Sequence, residues 1–238
     1  MTMALLIALL RGESFPTAMD VGWAVAGGFA GGTGIASLYR ALAIGRMAVV
    51  APITAVLAAT IPVVVGFATH GLPAPVVLLG MGLAVVAVIL VSQVQDTVEG
   101  RSRGLGLAVL AGVGFGLFGV CIGQLSGGHV FGPLVVVRAT EAVLIGGLVV
   151  VSRSPWRPPR DLVLAICAVG VLDMAGNGAY ILSAQAGSLA IASVLSSLYP
   201  VTTVILAATF LRERVTRVHL LGIALAAVAV GLIAFGSA

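Results

Sequence analysis

The chain has 238 residues, 60% of them hydrophobic and 8% charged, with a formal net charge of +4 and a mean hydropathy of +1.21. A soluble domain carries about a quarter charged residues, so this composition excludes a soluble globular protein and places the chain in a lipid bilayer. Lysine is absent, and the arginines fall in short breaks between apolar runs, which fits a membrane topology signal and not a nucleic acid surface.

A helix needs about 20 apolar residues to cross the hydrocarbon core. Residues 1–10 are apolar but reach only half that length before Arg11. They lack the basic start and small-residue cleavage site of a signal peptide. Full spans are predicted at 21–39, 47–69, 76–93, 104–124, 131–151, 162–184, 188–211 and 218–235, which makes eight full spans plus one partial. The fold class is therefore all-α, a polytopic membrane helical bundle. Cys121 and Cys167 each lie inside an apolar run and read as buried small hydrophobes.

The chain also repeats itself. Sliding the run from Val218 to Ile233 over the run from Val76 to Val91, an offset of 142, makes 10 of 16 positions identical: Val76, Leu78, Leu79, Gly80, Leu83, Ala84, Val86, Ala87, Val88 and Leu90. Roughly two or three matches would arise by chance in so apolar a composition, and self-similarity at a fixed offset is the mark of a duplicated unit. The same offset places Gly28 on Gly170, Gly34 on Gly176, Gly45 on Gly187 and Arg11 on Arg153. The two copies are read as 1–98 and 104–236. At this offset residues 1–10 match the back half of the span containing Arg138, so the first copy is expected to lack one helix and half of the next.

A complete copy would hold five helices. Five is odd, so the second copy must enter the membrane upside down, giving two inverted repeats of five helices. The arginines agree: Arg40 and Arg46 occupy a break whose counterpart at 185–187 has no basic residue, and Arg212, Arg214 and Arg217 match 69–75, which has none. By the positive-inside rule these breaks, with Arg101/Arg103 and Arg153/Arg157/Arg160, face the cytoplasm. Gly71, His129, Gln185 and the C-terminus then face outside. The proline-rich break at 154–161 reads as a topology anchor around Trp156, with a lipid-binding patch as the other reading.

No HExxH, GxSxG, GxxxxGK[ST] or CxxC motif occurs, so no hydrolytic, ATP-driven or metal site is visible, no cofactor is expected, and the chain does not read as an enzyme. Ionisable groups inside apolar spans are the informative residues, because each needs a partner or a wet cavity. Arg138 and Glu141 lie three residues apart on one helix face. They are either a self-neutralising pair or cavity groups that bind a substrate charge or, at Glu141, a proton. Asp173, Asn177 and Tyr180 form one polar stripe, read as lining a water-filled pathway; the first copy has Gly31, Ile35 and Leu38 there. Pro52, Pro62 and Pro200 mark predicted helix bends, where Thr54, Thr60, Ser193, Ser196 and Ser197 could re-satisfy freed carbonyls. Bends at corresponding positions of inverted copies are equally where transporters place binding sites and hinges. The GxxxG pairs Gly27/Gly31, Gly28/Gly32 and Gly112/Gly116 read as internal packing.

The run from Ser188 to Ile233 resembles the closing helices of the EamA-like branch of the drug/metabolite transporter superfamily. The resemblance rests on Tyr199 and Pro200, Glu213, Thr216 and Gly222; residues 45–57 resemble the matching first-copy segment, where Gly71 replaces the acid at Glu213. It implies a ten-helix secondary transporter in a bacterial cytoplasmic membrane, moving amino acids, metabolites or drugs, outward rather than inward, by alternating access. A proton or other ion would couple the movement, and oligomers are compatible with the pattern. The alternative from another class is a truncated, non-transporting membrane protein or scaffold subunit that needs a partner chain.

Overall fold

The computed structural model describes residues 2–13, 15–44, 47–91, 104–153, 160–187, 189–196, 198 and 217–236. Their regular elements are all helical: α1 (Thr2–Leu10), α2 (Ala18–Ile44), α3 (Met47–His70), α4 (Pro75–Val91), α5 (Leu105–Gly123), α6 (Phe131–Ser152), a 3-10 turn (Arg160–Leu162), α7 (Val163–Ala186), α8 (Leu189–Ser196) and α9 (Arg217–Gly236). Helices are what an apolar run must form in lipid, since every backbone N–H and C=O has to be satisfied within the segment. The breaks fall where the sequence can leave helical geometry. Gly71, Gly104 and Gly128 take φ of 79°, 94° and 90°, and Pro75 opens α4, where its missing N–H costs nothing.

Among the described residues α2, α5, α6 and α7 are long and apolar enough to cross a membrane, and α3, α4 and α9 carry the shorter apolar stretches Ile53–Thr69, Pro75–Leu90 and Leu220–Ile233. Helices thus occupy the predicted spans, and α8 opens the span predicted at 188–211. The linkers at 95–103 and 154–159, and the remainder of that span, lie outside the described residues.

Glycine determines how closely the helices approach. On α5, Gly114 faces α2, where an added Cβ would meet the Ala30 carbonyl and the Gly34 Cα, both at 2.8 Å. Gly112 and Gly116 face α3 instead, against Leu57 at 2.6 Å and Ile61 at 2.8 Å. On α2, Gly27 sits against Cys121, Gly28 against Thr140, Gly31 against Glu141 and Gly32 against Leu144. All three GxxxG pairs therefore pack helices within the chain, so α5 is held between α2 and α3, and α2 between α5 and α6.

Three further pairs join helices, or parts of helices, that the 142 offset superposes. Along α4 and α9, Val77 meets Gly236, Gly80 meets Ile233, and Ala87 clusters with Ala226, so the two run antiparallel. Gly66 near the end of α3 lies 2.8 Å, by its absent Cβ, from the backbone of Ala190 near the start of α8. The end of α1 reaches the start of α6, with Arg11 5.7 Å from the Phe131 ring centroid.

Candidate functional site

Three side chains from two helices meet halfway along their lengths. Arg138 on α6 donates through one nitrogen to Glu141 at 2.6 Å and through the other to Asp173 on α7. Helical spacing brings Glu141 beneath Arg138 on the same face, and the length of the arginine carries its head across to α7. The Glu141 side chain is only 10% exposed, whereas that of Asp173 is 50% exposed. Glu141 fits because its neighbour on α2 is Gly31, whose absent Cβ would stand 2.7 Å from Oε1. Gly31 is also the residue that the repeat aligns with Asp173. The carboxylate present in one copy is thus replaced in the other by the space that holds Glu141.

Asp173 opens onto a cavity of about 510 Å³ between α3, α5, α7 and α8, within the range of small-molecule sites. One wall is apolar: Ala55, Ala58, Ala59 and Pro62 from α3, and Phe115, Phe118 and Ile122 from α5. The other is polar: Asp173, Asn177 and Tyr180 from α7, and Ser193 and Ser196 from α8. All three residues of the predicted stripe therefore line one cavity. The Asn177 amide donates to the Asp173 carbonyl at 3.0 Å and to Asp173 Oδ1 at 3.3 Å, which fixes its face. The Tyr180 hydroxyl and Ser193 Oγ are 2.7 Å apart, and Ser193 donates to the Leu189 carbonyl at 2.7 Å. Arg138 and Glu141 stand behind Asp173 and reach the cavity through it.

The prolines behave less simply than expected. α3 remains helical through Pro52 and Pro62, and Pro62 is buried and lines the cavity. The nearby hydroxyls do not serve the carbonyl of Ala58, to which Pro62 offers no N–H. Thr54 donates across to the Ala108 carbonyl at 3.2 Å, and Thr60 to Val56 at 2.7 Å. Gly222 is buried in α9. Ser197, Tyr199, Pro200, Glu213 and Thr216 lie outside the described residues. Sequence reasoning missed the apolar wall; its only signal was Phe115 and Phe118, three apart among the glycines of α5.

Three long-range clamps hold the loop after α5 and the start of α6. Glu13 Oε2 accepts from the backbone N–H groups of Val130, Phe131 and Gly132 at 3.4, 2.9 and 3.0 Å, capping α6. Asp20 Oδ1 accepts from the Ser126 N–H at 2.9 Å, and the Gln185 amide donates to the carbonyls of Ser126 and His129 at 2.9 and 3.2 Å.

A helical membrane bundle with a polar cluster beside a cavity of this size is the architecture of a solute carrier. The sequence of residues 102–235 matches the EamA-like transporter family. The chain belongs to that family, and so to the drug/metabolite transporter superfamily: it is an integral membrane protein of the transporter type. One solved structure, described only as a crystal structure of a protein, matches with a TM-score of 0.76 over 98% of this chain and 82% of its own, at 18% identity. At that identity the likeness concerns the fold alone. A comparison with curated proteins found no match.

Proposed function

We propose that the chain moves small organic solutes outward across a bacterial cytoplasmic membrane as a secondary transporter, by alternating access around the cavity between α3, α5, α7 and α8. The observation that carries this reading is the contact of Arg138 with Glu141 and Asp173, with Asp173 opening into the cavity. A charge network at mid-helix is expensive in lipid and is kept where a substrate or ion passes. The same cluster is where a coupling proton would sit. In this reading 1–98 and 104–236 are two inverted repeats. The antiparallel contact of α4 with α9 supports it, since the 142 offset makes them equivalents.

The test is flux from proteoliposomes loaded with amino acids, metabolites or drugs. Asp173→Asn and Glu141→Gln should each lose at least ten-fold in rate while expressing and melting like the parent. Parental flux in both variants would defeat the site assignment. A second reading, a non-transporting subunit that needs a partner chain, is favoured by the first half of α7: residues 161–173 are exposed, and Gly170 and Gly176 have no neighbour within 4 Å among the described residues. Under that reading no solute is moved by the parent chain alone.

A further inference from the structure

We infer that the solute accepted by this cavity is an organic monocation, an ammonium or amidinium head on an aromatic or branched apolar body. The inference rests on the transporter reading and adds the sign of the substrate charge to it. One guanidinium faces two carboxylates, so the ionised cluster is left with one net negative charge. Both terminal nitrogens of Arg138 are already engaged, one by each carboxylate. An anionic solute would meet a guanidinium whose charge two carboxylates already offset, and would be repelled by the net negative cluster in a medium of low dielectric. A cation has no such conflict.

The geometry presents that negative charge on the cavity side. Asp173 is the one charged residue on the cavity wall among the described residues, and its side chain is half exposed. Its Oδ2 is held by Arg138, while among the described residues Oδ1 has only the long 3.3 Å contact from Asn177, short of a carboxylate oxygen's acceptor capacity. A positively charged N–H donor would form the charge-assisted bond that the neutral amide does not. The opposite wall adds to the same sign. Phe115 and Phe118 line it, and aromatic rings attract cations. Ala58 lines the cavity too, with a carbonyl to which Pro62 gives no helical N–H. The apolar side chains around these groups would cover the body of the solute.

Calorimetric titration of the detergent-purified full chain with three probes of one shape separates the possibilities: benzyltrimethylammonium, its uncharged carbon isostere neopentylbenzene, and benzylsulfonate. Amine-bearing benzylamine tests the hydrogen-bonding head. The cations should bind at least ten-fold more tightly than the neutral probe, and the sulfonate not measurably. Asp173→Asn should remove the preference for charge and Asp173→Glu should retain it; the ordering of the three probes on the parent protein does not depend on either variant folding. Equal binding of cation and neutral probe, or tighter binding of the sulfonate, would overturn the cation assignment. Flux assays with the same probes locate the failure. If the neutral or anionic probe is moved, the chain is a transporter of another substrate class. If no probe binds and none is moved, the cation assignment falls, and a parent chain equally inert toward amino acids, metabolites and drugs takes the transporter reading with it.

Discussion

Arg138 is the residue on which the polar cluster depends, because among the described residues it is the only cation placed against Glu141 and Asp173. Replacing it by methionine would keep most of the side-chain volume and leave two carboxylates facing each other without a countercharge. Removing one partner of a buried ion pair costs about 3–5 kcal/mol, so Arg138→Met should lower the melting temperature of the purified protein sharply, while Glu141→Gln should leave it near the parent's, since the amide can still accept from Arg138. Gly31 makes the matching prediction from the other side. An alanine there would bring a Cβ within 2.7 Å of Glu141 Oε1 and 3.0 Å of the Phe118 ring. Overpacking of this kind costs about 1–3 kcal/mol; Gly31→Ala should destabilise more than Gly27→Ala, whose nearest contact is 3.3 Å, in the same melting assay. The spacing of Arg138 and Glu141 was legible in the sequence because both sit on one helix. Their link to Asp173 was not, because it joins residues 35 apart on two helices and depends on which way each helix is turned. Asp173, Asn177 and Tyr180 were legible as a stripe for the same local reason.

At the scale of elements, what the sequence could place were the helices, and what it could not were the contacts that end them. The start of α2 has a local cap: Thr17 Oγ1 accepts from the Asp20 N–H at 3.1 Å, and Asp20 Oδ2 accepts from the Thr17 N–H at 3.2 Å. This reciprocal arrangement is written within four residues. The start of α6 is capped instead by Glu13, 118 residues from Phe131, and nothing near Val130 in the sequence announces it. A carboxylate at a helix N-terminus is favoured both by the free N–H groups and by the helix dipole. Glu13→Ala should therefore cost about 1–2 kcal/mol, and Glu13→Gln about half of that. Hydrogen exchange would locate the effect: the amides of residues 130–132 should lose protection while those in the middle of α6 keep theirs. A uniform loss of protection along α6 would mean that Glu13 supports the packing of α1 rather than the helix end.

For the whole molecule, the internal repeat sets up a comparison of positions that the sequence treats as equals and the structure does not. Gly28 on α2 and Gly170 on α7 are aligned by the 142 offset, as are Gly34 and Gly176. On α2 an added Cβ would stand 2.6 Å from Thr140 at Gly28 and 3.1 Å from Phe115 at Gly34, whereas on α7 neither glycine has a neighbour within 4 Å among the described residues. The repeat made the equivalence visible, but only the fold tells which member of each pair is packed. Leucine at Gly28 should force α2 and α6 apart and cost at least the 1–3 kcal/mol typical of overpacking. Leucine at Gly170 should leave the melting temperature within the scatter of neutral surface changes, about 0.5 kcal/mol either way, because its side chain would enter lipid. The pair should be measured both in detergent and in lipid bilayers. If Gly170→Leu is harmless in detergent and destabilising in native membranes, a further helix covers α7 there with the closeness that α5 shows toward α2, and the two glycines are then equals in the assembled protein as they are in the sequence.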